Sequence, residues 1–353
     1  MERRGFFGWF GFATIAAGTL LIPGHGSLTE LETALQSPIA SSFTGEVDKT
    51  RYTEIYHAIK SLGIPILDQN SGYVSGATRL VINFAEKEHG LSAERTRELA
   101  MLDLLLEHIG IGAIGVEKEV GPIESSQLAH ITGAVHDYEA LWEELHGPEN
   151  RISGPLVAHY NTIAKIIPDV DSRIIHALNN LIRGSVNITL YRQEQRTMGT
   201  YILSLFGRKP LFGLEDPQKL ALAENYSQGA YLYNSLIECK LGMDMLNQLA
   251  RENSQNAEFQ IAYQGIYNTY RTLADEVACY RSLVEPQGFA YFNQKGLVRT
   301  LLELRNPVWA QKVDAQDTPI VLTITGKDHI PGFTRALQEK KMSVINIDTP
   351  SHN

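Results

Sequence analysis

Cysteine is nearly absent: Cys239 and Cys279 are the only two among 353 residues. Two isolated cysteines exclude a Cys-rich zinc site. They leave open a single disulfide in an exported chain, or two buried thiols serving as small apolar residues. There is no long run of Lys or Arg, and 31 basic residues against 40 acidic ones give a formal net charge of -9. Such a chain lacks the basic footprint of a nucleic-acid binder. Beyond the N-terminus no apolar run is long enough to span a bilayer. The sequence also has no G-x-S-x-G elbow, no G-x-x-x-x-G-K-[ST] loop and no G-x-G-x-x-G after a strand, which excludes the commonest serine-hydrolase and nucleotide signatures. Both cysteines fall within helical stretches without an activating neighbour, so neither is a good nucleophile.

What is present is ordinary globular composition, 43% hydrophobic and 20% charged, in a length that suits two domains or one domain with a large insertion. At the N-terminus Arg3 and Arg4 precede an uncharged run from Gly5 to Pro23. A basic start followed by an apolar stretch resembles a signal peptide. Its glycines and alanines favour a cleaved signal or a weak anchor over a stable span, although the A-x-A cleavage pattern is missing.

Periodicity separates the rest. Tyr52–Leu62 has helical spacing, and Gly63–Leu67 reads as a short strand. Thr78–Phe84 and Ala113–Val116 read as buried strands flanking a leucine-rich helix over Thr96–Ile109, a βαβ unit of a parallel sheet. Residues 123–310 read as largely helical, with Asp216-Pro217 a strong helix start. The chain then returns to α/β: a strand over Asp317–Thr325, a short helix over Gly332–Lys341 and a last strand over Met342–Ile347. The expected fold is α/β (α+β), with a central mixed or mostly parallel sheet from N- and C-terminal halves (76–122 and 311–350). A helical insertion over 123–310 caps it. Residues 1–26 are expected to be a signal peptide or membrane anchor, and 27–75 an N-terminal extension.

Ligands of open parallel sheets bind beyond the carboxyl ends of the strands. His89, Glu117 and His329 all fall at such ends. Two imidazoles and a carboxylate can hold a divalent metal and leave positions for water, whose pKa the metal lowers.

The same residues carry a resemblance. Ile320–Ile347, with Gly326, His329, Pro331 and Gly332, resembles the end of proteins of the TraB/GumN–Tiki–ChaN clan, where a strand leads into a G-x-x-H turn, a Pro-Gly step, a helix and a final strand. Leu80–Gly121 resembles the clan's first half, with His89 in the histidine position and Glu117 ending the next strand. Glu86 stands where that motif has glycine, so Glu88 becomes a candidate further ligand or base. Tyr191–Leu203 is similar to a helical segment of the clan in which Arg196 takes a shared arginine position.

The resemblance implies a metal-dependent, peptidase-like hydrolase. Its metal (Mn, Co or Zn) would sit on His89, His329 and Glu117, with Glu117, Arg196 and Glu88 as catalytic groups. The alternative is a non-catalytic binding protein for a peptide signal or for haem iron. The partners expected are a peptide or small-molecule substrate, no nucleic acid, a membrane through the N-terminal segment, and a second copy in a homodimer. The location expected is exported or membrane-anchored.

Overall fold

A computed structural model of the protein describes residues 47–86, 93–146, 153–194, 198–285 and 292–349. Its centre is a six-stranded sheet. The strands are β1 (Arg79–Glu86), β2 (Ala113–Val116), β3 (Val120–Pro122), β4 (Leu211–Leu214), β5 (Ile320–Gly326) and β6 (Met342–Asp348). They lie in the order β3-β4-β2-β5-β1-β6. Every neighbouring pair is parallel except β3 with β4. This is the α+β architecture expected: a mixed sheet from both chain ends, flanked by a large helical segment. β1, β5 and β6 are buried almost throughout, as continuous Val/Ile/Leu runs require when helices cover both faces.

One face of the sheet meets α1 (Lys49–Ser61), α2 (Ala93–His108), α3 (Ser125–His146) and α6 (Gly199–Leu205). Ile55, Ile59, Leu102, Leu105, Tyr201 and Ile202 pack there against Ile82, Phe84 and Ile324. The other face meets α10 (Asn306–Asp314) and α11 (Ile330–Glu339), where Trp309, Val313, Phe333 and Leu337 pack against Val81, Val321 and Val344. The helices α4 (Ser153–Ile166), α5 (Ser172–Glu194), α7 (Pro217–Glu252) and α8 (Ala257–Val284) bury their own core around Leu181, Tyr226, Leu246 and Ile266, and the short α9 (Gln294–Val298) follows them in the chain. Capping follows the local sequence: Asp216 accepts from the N–H groups of Gln218 and Lys219 ahead of α7, and Asn256 accepts from that of Phe259 at α8.

Two differences from the sequence reading concern strands. Leu211–Leu214, inside the stretch read as helical, is β4 and pairs with β2. Four residues are too few for periodicity to stand out beside long helices. Gly63–Leu67 contributes only an isolated bridge, Ile66 to Ile347, which with Gly72 to Val344 covers the open edge of β6.

The membrane partner and the exported or membrane-anchored location are corrected. No helix among the described residues is long and apolar enough to cross a membrane. The longest, α7 and α8, carry charged side chains along their length, and each such charge opposes insertion. The Gly5–Pro23 run on which the anchor rested lies outside the described residues.

Candidate functional site

β4, β2 and β5 are adjacent and parallel, so their carboxyl ends share one edge. Glu215 directly follows β4, Glu117 directly follows β2, and His329 closes the single 3-10 turn Lys327–His329 after β5. Val116 packs with the α2 face, so strand alternation turns Glu117 toward α10 and α11. α10 brings the remaining parts. Arg305 stands at its N-cap, Asn306 begins it, and Trp309 lies one turn on.

Arg305 is the centre of the cluster. Its Nε donates to both oxygens of Glu215 at 3.1 and 3.2 Å. Its Nη2 donates to Glu117 Oε1 at 2.9 Å and also to Glu215 Oε1. Its Nη1 lies 3.4 Å from both the Leu301 carbonyl and His329 Nε2. Leu301 belongs to a π-helical turn, Arg299–Glu303. The second oxygen of Glu117 accepts the Gly326 N–H at 2.6 Å, and the Lys118 N–H approaches Glu215 Oε1 at 3.4 Å. Glu117, Glu215, Arg305 and His329 are each between 1% and 5% exposed.

Removing a carboxylate from water opposes its ionisation, and burial alone would push the Glu117 carboxyl up. His329 in its protonated form and the Arg305 guanidinium, with Lys118 and the Gly326 N–H, outweigh burial and hold it well below the usual carboxylate range. Burial likewise works against the Arg305 charge, and Glu117 and Glu215 more than offset it, raising its pKa further.

His329 is held on several sides. Nδ1 lies 2.8 Å from Asn306 Oδ1, and Nε2 lies 3.7 Å from Glu117 Oε1. The ring faces Trp309 with centroids 4.2 Å apart and planes at 33°. The Arg305 guanidinium sits 4.8 Å over the same indole. The cluster lies at the carboxyl edge of the sheet, where ligands of open parallel sheets bind.

Of the residues singled out in the sequence, Glu117 and His329 come together. His89, Glu88 and Arg196 lie outside the described residues. Glu86, in the place of the expected glycine, is buried and pairs in register with Gly326 across β1 and β5. Alternation sets it with Ile82 and Phe84, on the face opposite Glu117. Sequence reasoning missed Arg305, Glu215 and Asn306. Glu215 had a readable signal: like Glu117 it closes a short apolar run, bounded here by Pro210 and the Asp216-Pro217 helix start. Arg305 had none, since a residue before an Asn-Pro step shows nothing of the carboxylate it meets 90 positions away.

A divalent metal fits these side chains poorly. Among the described residues no group of three or more His, Cys, Asp or Glu side chains is arranged to hold one. Both oxygens of Glu117 are engaged, and the Arg305 guanidinium stands 3.4 Å from the nitrogen that His329 would offer. A metal ion there would meet a cation already in place. What the described residues can supply is a proton-exchanging imidazole, a carboxylate that steadies its charged form, and a guanidinium beside both. No family model, curated protein or solved structure matches this chain, so the likeness to the TraB/GumN–Tiki–ChaN clan rests on the quoted motifs alone.

Proposed function

We propose that this protein is a hydrolase of acyl bonds, peptide-like in its substrates, with His329 as its acid–base group. The observation that carries the reading is the burial of Glu117, Glu215, Arg305 and His329 in one cluster at the carboxyl edge of a parallel sheet. In the proposed reaction His329 Nε2 accepts a proton from water as the water oxygen bonds to the acyl carbon. The same proton then passes to the leaving amine or alcohol as its bond to carbon breaks. Glu117, 3.7 Å from Nε2, offsets the positive charge of the imidazolium between these steps. Arg305 Nη1, whose two contacts are both 3.4 Å long, is the donor of the guanidinium left to face the negative charge that develops on the acyl oxygen.

The clan resemblance supports the same reaction class. Its metal-dependent form, with Mn, Co or Zn on His89, His329 and Glu117, is disfavoured by the guanidinium beside Nε2. The test is hydrolysis of a panel of peptides and esters by the full chain. His329→Gln and Glu117→Gln are expected to lower kcat/KM by about 100-fold or more, with the far-UV circular dichroism unchanged. Dialysis against EDTA is expected to leave the rate as it was. Wild-type rates in both variants would overturn the acid–base assignment, and activity that returns only with added metal would restore the metal reading.

A further inference from the structure

Gly332 lies in the first turn of α11, three residues after His329. Gly332 has no left-handed φ to require glycine, yet a Cβ there would lie 2.3 Å from Asn306 Nδ2. The missing side chain is therefore a notch for the Asn306 amide. Asn306 is buried, and the oxygen end of the same amide meets His329 Nδ1 at 2.8 Å. A carbonyl oxygen only accepts, so the ring must present Nδ1–H to it. Trp309, on the same helix, packs against the ring and resists its rotation. The remaining nitrogen, Nε2, is then the one turned toward Glu117 and Arg305.

We propose that Asn306 is a positioning residue that locks neutral His329 in the Nδ1–H tautomer, with Gly332 as the space that admits it, so that Nε2 is the nitrogen that exchanges protons. The use of that proton rests on the hydrolase reading; the tautomer does not. This reverses the usual preference of a free imidazole for Nε2–H, so the lock has a spectroscopic signature independent of any substrate.

The test is a long-range proton–nitrogen correlation on the full chain, deuterated and labelled with 15N-histidine. The ring of His329 is identified among the 11 histidines by its loss in His329→Gln, and spectra are taken at a pH where it is neutral. A pyrrole-type Nδ1 and a pyridine-type Nε2 are expected in the wild type and in Asn306→Asp, which keeps the acceptor. Asn306→Leu, of similar size without an acceptor, is expected to shift the ring toward Nε2–H. An Nε2–H ring in the wild type overturns the proposal, whether or not the leucine variant folds; so does an unchanged Nδ1–H ring in a folded Asn306→Leu. An Nδ1–H lock together with full activity in His329→Gln would sink the hydrolase reading and leave this one standing.

Discussion

Glu117 shows how the place of a residue can be legible in sequence while its partners are not. Its place at the end of an apolar strand was plain. That its two oxygens are taken by Arg305 and by the Gly326 N–H was not. The pairing has a pH consequence. Because the folded carboxyl titrates below the ordinary glutamate value of 4.5, its stabilisation is complete above that value and is lost as the pH falls further, through the folded pKa. Glu117→Gln removes that acid-dependent part. The urea midpoint of the wild type is therefore expected to drop toward that of the variant below about pH 4.5. A gap between the two that stays constant from neutral pH into this range would show that Glu117 is not held ionised by its neighbours. Arg305 and Glu215 illustrate the opposite limit: buried charges persist only when paired, but sequence does not say which residue supplies the partner.

Among the elements, β3 and β4 were the least readable, and close backbone approach rather than side-chain pattern explains them. A Cβ on Gly213 would lie 2.1 Å from the Glu119 carbonyl carbon and oxygen and 2.3 Å from the Val120 nitrogen. Glycine is therefore what allows the antiparallel turn to fold back over β4 and leaves Glu215 at the end of that strand. Gly213→Ala is expected to destabilise the protein by about 1–3 kcal/mol, as overpacking does. Gly133, midway along α3, is the contrast, because nothing lies within 4 Å of a Cβ built there. Gly133→Ala is expected to stabilise by roughly 0.5–1 kcal/mol through helix propensity. Chemical denaturation of the two variants side by side checks both signs. Equal effects would mean that the sheet edge is not packed as described. The long helices were legible because apolar positions recur over many turns, and α7 begins at Pro217, where the Asp216-Pro217 step reads as a helix start.

At the scale of the whole molecule, β5 lies between β1 and β2. The N-terminal strand–helix–strand unit thus has no direct pairing of its own strands and depends on the other end of the chain. A buried polar network joins the two ends. Asn83 on β1 donates to Asn346 on β6 at 2.9 Å and accepts from the hydroxyls of Thr323 and Thr325 on β5, each at 2.9 Å. Asn346 in turn donates to Thr334 on α11 at 3.0 Å. Asn83→Ala breaks three buried hydrogen bonds and leaves their partners dry, at a cost of about 3 kcal/mol at about 1 each. It is expected to lower the denaturation midpoint while intrinsic tryptophan fluorescence and far-UV circular dichroism still report one transition. A variant as stable as the wild type would show that this network does not hold the two ends together.

The sequence alone determined the long helices and the strands β1, β2, β5 and β6, because hydrophobic period and capping residues act locally. It also placed Glu117 and His329 at strand ends, since a short apolar run followed by a polar residue is readable without a neighbour. Only the tertiary structure decided that β5 inserts between β1 and β2, that β4 belongs to the sheet, and that Arg305 and Asn306 converge on His329. The physical reason is that those contacts join segments distant along the chain. Their partners are chosen by desolvation and by charge pairing inside the folded core, and no local pattern in the chain encodes that choice.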